Sequence, residues 1–146
     1  RSLREISNRL LTLTAEERSY FLEEADRSDQ QALLWIATCR AYRFVREFAM
    51  EVVRERYLSY QLDLPLESFD ILLAAKAEWD EGLAGLSRST QLKLRQIMFR
   101  MIREAGIISE DSRIQTAILS TYLKNMIEEQ NPGELAVFPS VPVEGA

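Results

Sequence analysis

Apolar residues recur every three to four positions along nearly the whole chain, the period of helices that bury one face. Leu3, Ile6, Leu10 and Leu13 keep this spacing and predict a first helix over 2–11. Thr14-Ala15-Glu16-Glu17 is a capping-box sequence, in which a hydroxyl and a carboxylate exchange hydrogen bonds with each other's backbone. It predicts a second helix ending near 24. Ser28 or Asp29 is the expected cap of a third, to about 40. Between there and Pro65 the sequence has no Gly or Pro. A fourth helix over 42–60 follows, with a break expected near 41 because an uninterrupted helix of that length is rare in a compact domain.

Pro65 suits a helix first turn. The pattern after it predicts a helix over 66–78 with Phe69, Leu72, Leu73 and Ala77 inward. Gly82 and Gly85 mark 79–86 as a connection. Ser87 is the expected N-cap of a long helix over 88–105, and Gly106 its left-handed C′ residue. The run 114–119 fits strand or helix equally. Ser120 caps a shorter helix to about 130, stopped by Asn131-Pro132-Gly133. The rest, 131–146, holds Pro139 and Pro142 and reads as an extended tail, with 135–138 as a candidate short strand. No repeat or linker divides the sequence. The expectation is one compact all-α domain over 1–146, a bundle of about six to seven helices.

Composition narrows the chemistry. The 146 residues are 47% hydrophobic and 28% charged, enough for a core without staples. No apolar run approaches the ~20 residues of a membrane span, and the opening lacks the apolar stretch of a signal peptide. One cysteine excludes an internal disulfide and suits a reducing compartment, so a cytoplasmic location is expected. The absence of histidine removes the commonest general base and the commonest zinc ligand. Cys39 lies in an apolar run and reads as a buried small hydrophobe rather than a nucleophile. The acidic pairs Glu16-Glu17, Glu23-Glu24 and Glu128-Glu129 point about 100° apart on a helix and chelate poorly. Asp80-Glu81 lacks the ligand spacing and central Gly of a calcium loop. No Gly-rich phosphate loop is present. A carboxylate pair distant in the chain is the catalytic arrangement that spacing leaves open, but nothing points to one. No catalysis, metal or cofactor is expected.

One segment stands apart. Arg88, Lys93, Arg95, Arg100 and Arg103 put +5 into 88–103, without an acid, in a chain whose net charge is −5. On a helical wheel Leu94, Ile97, Met98, Met101 and Ala105 face the core. Lys93, Gln96, Arg100, Arg103 and Glu104 lie opposite, and Arg88, Leu92, Arg95 and Phe99 form a third stripe beside them. Cations with a glutamine suit phosphate and base-edge contacts, and a helix start with Ser87, Ser89 and Thr90 suits a phosphate. Arg88, Lys93, Arg95, Gln96, Arg100 and Arg103 are therefore the candidate nucleic-acid contacts. The plainer reading is an ion-paired face, with Glu78, Asp80 and Glu81 as partners. A second group, Arg40, Arg43 and Arg54, is interleaved with Glu47 and Glu51 at helical spacing and reads as structural. Trp35, Tyr42, Phe44, Phe48 and Tyr57 read as core. Fifteen of the eighteen cations are arginine, a bias toward bidentate recognition of phosphate or carboxylate.

Several stretches resemble a known family. Glu51-Val52-Val53-Arg54-Glu55-Arg56 and Glu78-Trp79-Asp80 carry the likeness, as do Leu86-Ser87-Arg88-Ser89-Thr90 and Lys93-Leu94-Arg95-Gln96. Phe99-Arg100 and Glu104-Ala105-Gly106 complete it. Over most of 1–119 the chain resembles the BrxA family of the BREX bacterial phage-defence systems. The resemblance implies a small non-catalytic protein with a helical fold likened to the RNA-binding antitermination factor NusB. It also implies a link to DNA binding, beside BREX subunits that include a methyltransferase and an ATPase. Family members begin some tens of residues earlier, so with Arg1 in place of Met an upstream segment is expected to be missing. No NusB contact motif matches, and the inner-membrane label sometimes given to the family finds no support in this sequence. The expected function is nucleic-acid binding, DNA rather than RNA, through the basic helix. The competing expectation is a module that docks on other defence subunits, with 135–143 adding as an extended peptide. A homo-oligomer is compatible with either.

Overall fold

The computed structural model describes residues 9–143, and 67% of them are helical. The first expected helix lies mostly outside the described residues. Its end, Arg9 and Leu10, is helical and closes with a turn in which Leu13 N–H donates to the Leu10 carbonyl. α1 (Ala15–Glu23) starts at the capping box: Thr14 Oγ1 accepts from Glu17 N–H and Glu17 Oε1 accepts from Thr14 N–H at 2.7 Å. α2 (Arg27–Ala41) is capped by Asp26, not by Ser28 or Asp29. Asp29 is instead 1% exposed, accepting from the Tyr20 hydroxyl and from both the N–H and hydroxyl of Ser120. A buried carboxylate must be hydrogen-bonded, and this one is bonded from two other elements.

The expected break falls at Tyr42, whose backbone is extended (φ −126°, ψ 103°). α3 spans 43–58 as Arg43–Phe48, a π-helical stretch Ala49–Val53, and Arg54–Leu58. α4 is Glu67–Ala77 and α5 the single turn Glu81–Ala84, inside the expected connection. α6 is Arg88–Glu104. Gly106 (φ +76°) ends it: Gly106 N–H donates to the Arg103 carbonyl and Ile107 N–H to the Ile102 carbonyl. That is the Schellman pairing, closed by the buried pair Ile102 and Ile107. The ambiguous run 114–119 forms neither a helix nor a strand. Ile114 bridges Ile108, Arg113 bridges Asp63, and the described residues form no longer strand. α7 (Thr121–Gln130) is capped by Ser120.

The tail departs from the expectation. Pro132–Val137 is a 3-10 helix rather than extended or strand, and Leu135, Ala136, Val137, Phe138 and Val141 are buried. Proline at its first position needs no donor there, and the donors that hold the tail are side chains of other elements. Arg54 Nη1 donates to the carbonyls of Phe138 and Val141, both at 3.0 Å. Arg40 lies between Glu17 and Glu134, with its shortest approaches at 2.7 and 2.6 Å. Burial alone would raise the Glu17 carboxyl, but the hydrogen bonds from Arg40 and the Thr14 backbone outweigh it and hold its pKa below the ordinary value. The core runs from Trp35 through Phe48, Phe69 and Phe99 to Leu123, Ile127 and Phe138, all at most 2% exposed. Cys39 is buried beside it, and burial pushes its thiol pKa well up.

Candidate nucleic-acid interface

The basic helix α6 is fixed at its start by Ser87, whose Oγ accepts from Thr90 N–H, and by Gln91, whose amide donates to the Leu86 carbonyl. Its inward face is set by Met98, Phe99, Met101 and Ile102, all 8% exposed or less. This differs from the wheel at three residues, the first of them Ile102, which the wheel does not place on the core face and which is 0% exposed. Phe99 is buried, because Phe48 of α3 packs 6.3 Å from its ring. Leu94 is 37% exposed, because the bundle does not close over that end of α6. It lines a groove of about 350 Å³ with Tyr42, Phe44, Leu83 and Ile97, and Arg100 is at its edge.

The six candidate residues separate into two groups. Lys93, Gln96 and Arg100 are exposed on one face, and neither cation makes an ion pair with a described residue. The others are engaged. Arg95 Nη1 donates to Asp70 of α4 at 2.7 Å, with both side chains about three-quarters buried. Arg88 is 3.6 Å from the same carboxylate but is itself well exposed, and it also donates to Gln91. Arg103 is half-buried and donates to the Ser112 hydroxyl at 3.0 Å. Glu78, Asp80 and Glu81 are not the partners; Asp80 caps α5 by accepting from Leu83 N–H. The sequence reading missed Asp70, which lies 25 residues before Arg95 on another helix, beyond the reach of any spacing argument.

The second arginine group is structural. Arg43 pairs with Glu47 at 3.3 Å, while Arg40 and Arg54 bind the tail. Among the described residues, no cluster of acidic or cysteine side chains is arranged to hold a metal, and no helix is long and apolar enough to cross a membrane.

The fold and its basic helix define a class of small helical protein. A BrxA family model matches residues 1–131, and the chain belongs to that family. No curated protein matches it. Its structure is similar to the crystal structure of an uncharacterized protein from Magnetospirillum magneticum, with a TM-score of 0.77 and 22% identity. The match covers 90% of this chain and 70% of that one, and at this identity the likeness is one of fold.

Proposed function

We propose that this chain is a non-catalytic, nucleic-acid-binding accessory protein of a BREX-type phage-defence system, acting in the cytoplasm and taking DNA in preference to RNA. Membership of the BrxA family supports the BREX association. One observation carries the binding: Lys93, Gln96 and Arg100 share an exposed face of α6, and the two cations make no ion pair with a described residue, in a chain of net charge −5. Two exposed cations without an ion-pair partner among the described residues of an acidic protein favour an anionic partner. At ~0.15 M salt the Debye length is only ~8 Å, so this face acts on a phosphate without hindrance from distant acids.

In this reading Lys93 and Arg100 neutralise phosphates, and Gln96 between them reaches sugar or base edges. Arg88 and Arg103 flank them toward the two ends of the helix. Arg95 reaches phosphate only by leaving Asp70, and its first role is to join α6 to α4. Salt-dependent binding of duplex DNA by the wild type and by Lys93→Glu/Arg100→Glu tests the assignment. Loss of both affinity and salt slope is expected, and unchanged binding overturns it.

The apolar groove beside Arg100 favours a second reading, docking on another subunit of the system. The tail has no part in that reading, since 135–138 is built into the core. If the double variant leaves DNA binding unchanged, docking replaces the first reading.

A further inference from the structure

Two helices of this protein end in the same motif, and only one has the residue that the motif favours. α6 has Gly106 at the left-handed position. α3 has Tyr60 there, at φ +61°, with Tyr60 N–H donating to the Tyr57 carbonyl and Gln61 N–H to the Arg56 carbonyl. A side chain with a Cβ is strained in this conformation. Packing of the ring does not repay this strain, since Tyr60 is 91% exposed. No described residue makes a hydrogen bond or ring contact with its side chain, which points to a use outside the fold. An observed backbone outlier is a legitimate start for a functional inference.

The surroundings say what would use it. Tyr60 borders a hollow of about 400 Å³ whose other walls include Arg56, Asp63 and Arg113, a size within the range of small-ligand sites. The walls are held in place by backbone pairing. Leu64 N–H donates to the Ser112 carbonyl, Ile114 N–H donates to the Leu62 carbonyl, and Asp63 bridges Arg113. Arg56 spends its Nε on the Asp63 carbonyl at 2.8 Å, which fixes the guanidinium and leaves both Nη groups unbonded among the described residues. Arg113 touches the Asp63 carboxylate at 3.2 Å, a solvent-exposed pair that contributes little and yields to a phosphate. The hollow also continues the basic surface: Arg103 of α6 donates to Ser112, the residue before Arg113.

We propose that this hollow binds one unpaired nucleotide of a nucleic-acid strand, with the base stacked on Tyr60 and its phosphate held by Arg56 and Arg113. The inference rests on the nucleic-acid reading of α6 and deepens it. A base inside a duplex offers no free face to a tyrosine, so the preferred ligand is a duplex with an unpaired end, lying along α6 and terminating at Tyr60. Stacking on an exposed aromatic is tolerant of base identity, so the site selects strand structure rather than sequence.

The test compares the full chain on a blunt DNA duplex and on the same duplex with a single-stranded overhang, by fluorescence anisotropy. The wild type is expected to bind the overhang about tenfold more tightly, the scale of one base–aromatic stack. Tyr60→Gly should abolish that preference while raising Tm by about 3 °C, since glycine relieves the left-handed strain. Tyr60→Trp should keep the preference. Arg113→Gln should flatten the salt slope for the overhang by about one. A wild type that binds both DNAs equally, or a preference that survives Tyr60→Gly, overturns this inference and leaves the α6 reading standing. Failure to bind either DNA overturns both.

Discussion

The indole Nε1 of Trp35 donates to the backbone carbonyl of Val137 at 2.9 Å, tying the middle of α2 to the end of the 3-10 helix, 102 residues later in the chain. Both groups are buried, so the carbonyl has no water to fall back on. Trp35→Phe removes the donor and some volume. It should cost about 1–3 kcal/mol for the unsatisfied carbonyl, more if a cavity remains. Truncation after Asn131 should be far worse, since it takes Leu135, Val137 and Phe138 from the core and Glu134 from Arg40. Urea midpoints for the first variant and circular dichroism for the second check this. A truncated chain with full helical content would mean the tail only decorates a core complete without it.

The inward face of α6 gives a paired prediction. Met98 is 4% exposed and Leu94 is 37% exposed. Met98→Asp buries a charge without a partner and should cost more than about 3 kcal/mol. Leu94→Asp puts the same carboxylate at the edge of an open groove and should cost about 1 kcal/mol or less. Comparable Tm losses in the two variants would restore the wheel's version, with Leu94 in the core.

Acid should unfold the protein partly through Glu17. Its pKa is lower in the folded chain than in the unfolded one, chiefly because hydrogen bonds from Arg40 and Thr14 overcome the cost of burial. A lowered carboxylate contributes stability that is present above the unfolded pKa and is lost as pH falls through the folded pKa. Stability should therefore decline below about pH 5, where carboxylates of ordinary pKa near 4.3 begin to take up protons. Glu17→Gln should be less stable at neutral pH, because Arg40 then has one carboxylate in place of two, and its acid limb should be shallower. Urea midpoints measured from neutral pH down to about pH 3 give both slopes, and identical limbs would remove Glu17 from the account.

What the sequence disclosed was mostly local. The Thr14 box, the Ser87 and Ser120 caps and Gly106 are signals carried within four or five residues, and each stands where its chemistry put it. The tail was not legible, because Pro139 and Pro142 argue against helix and strand but say nothing about burial. What holds the tail is Arg40, Arg54 and Trp35, side chains more than 80 residues away. The wheel misjudged Phe99 and Leu94 for a related reason: period fixes which residues share a face, while neighbouring helices decide which part of that face is covered. In the candidate interface the cations were visible as a run, but Asp70 and Ser112, which engage Arg95 and Arg103, were not. Tyr60 gave no sequence signal, since its peculiarity is a backbone angle.

Arg95 and Arg100 are five residues apart on α6 and should behave oppositely when changed. Arg100 is exposed and makes no ion pair with a described residue, so Arg100→Glu should leave Tm nearly unaltered. Together with Lys93→Glu it should weaken binding of every duplex alike and flatten the slope of log K against log salt by about two, one for each phosphate no longer neutralised. Arg95 sits against Asp70, with the two side chains only 22% and 26% exposed. Arg95→Leu leaves that carboxylate with only the looser Arg88 approach at 3.6 Å. It should cost about 1 kcal/mol or more of stability while changing the salt slope little. Asp70→Leu in the same chain should recover much of that stability, since the charge left behind is then gone. The opposite pattern, with Arg95 controlling the slope and Arg100 the Tm, would mean that Arg95 leaves Asp70 for phosphate and that the Lys93–Arg100 face is not the binding surface.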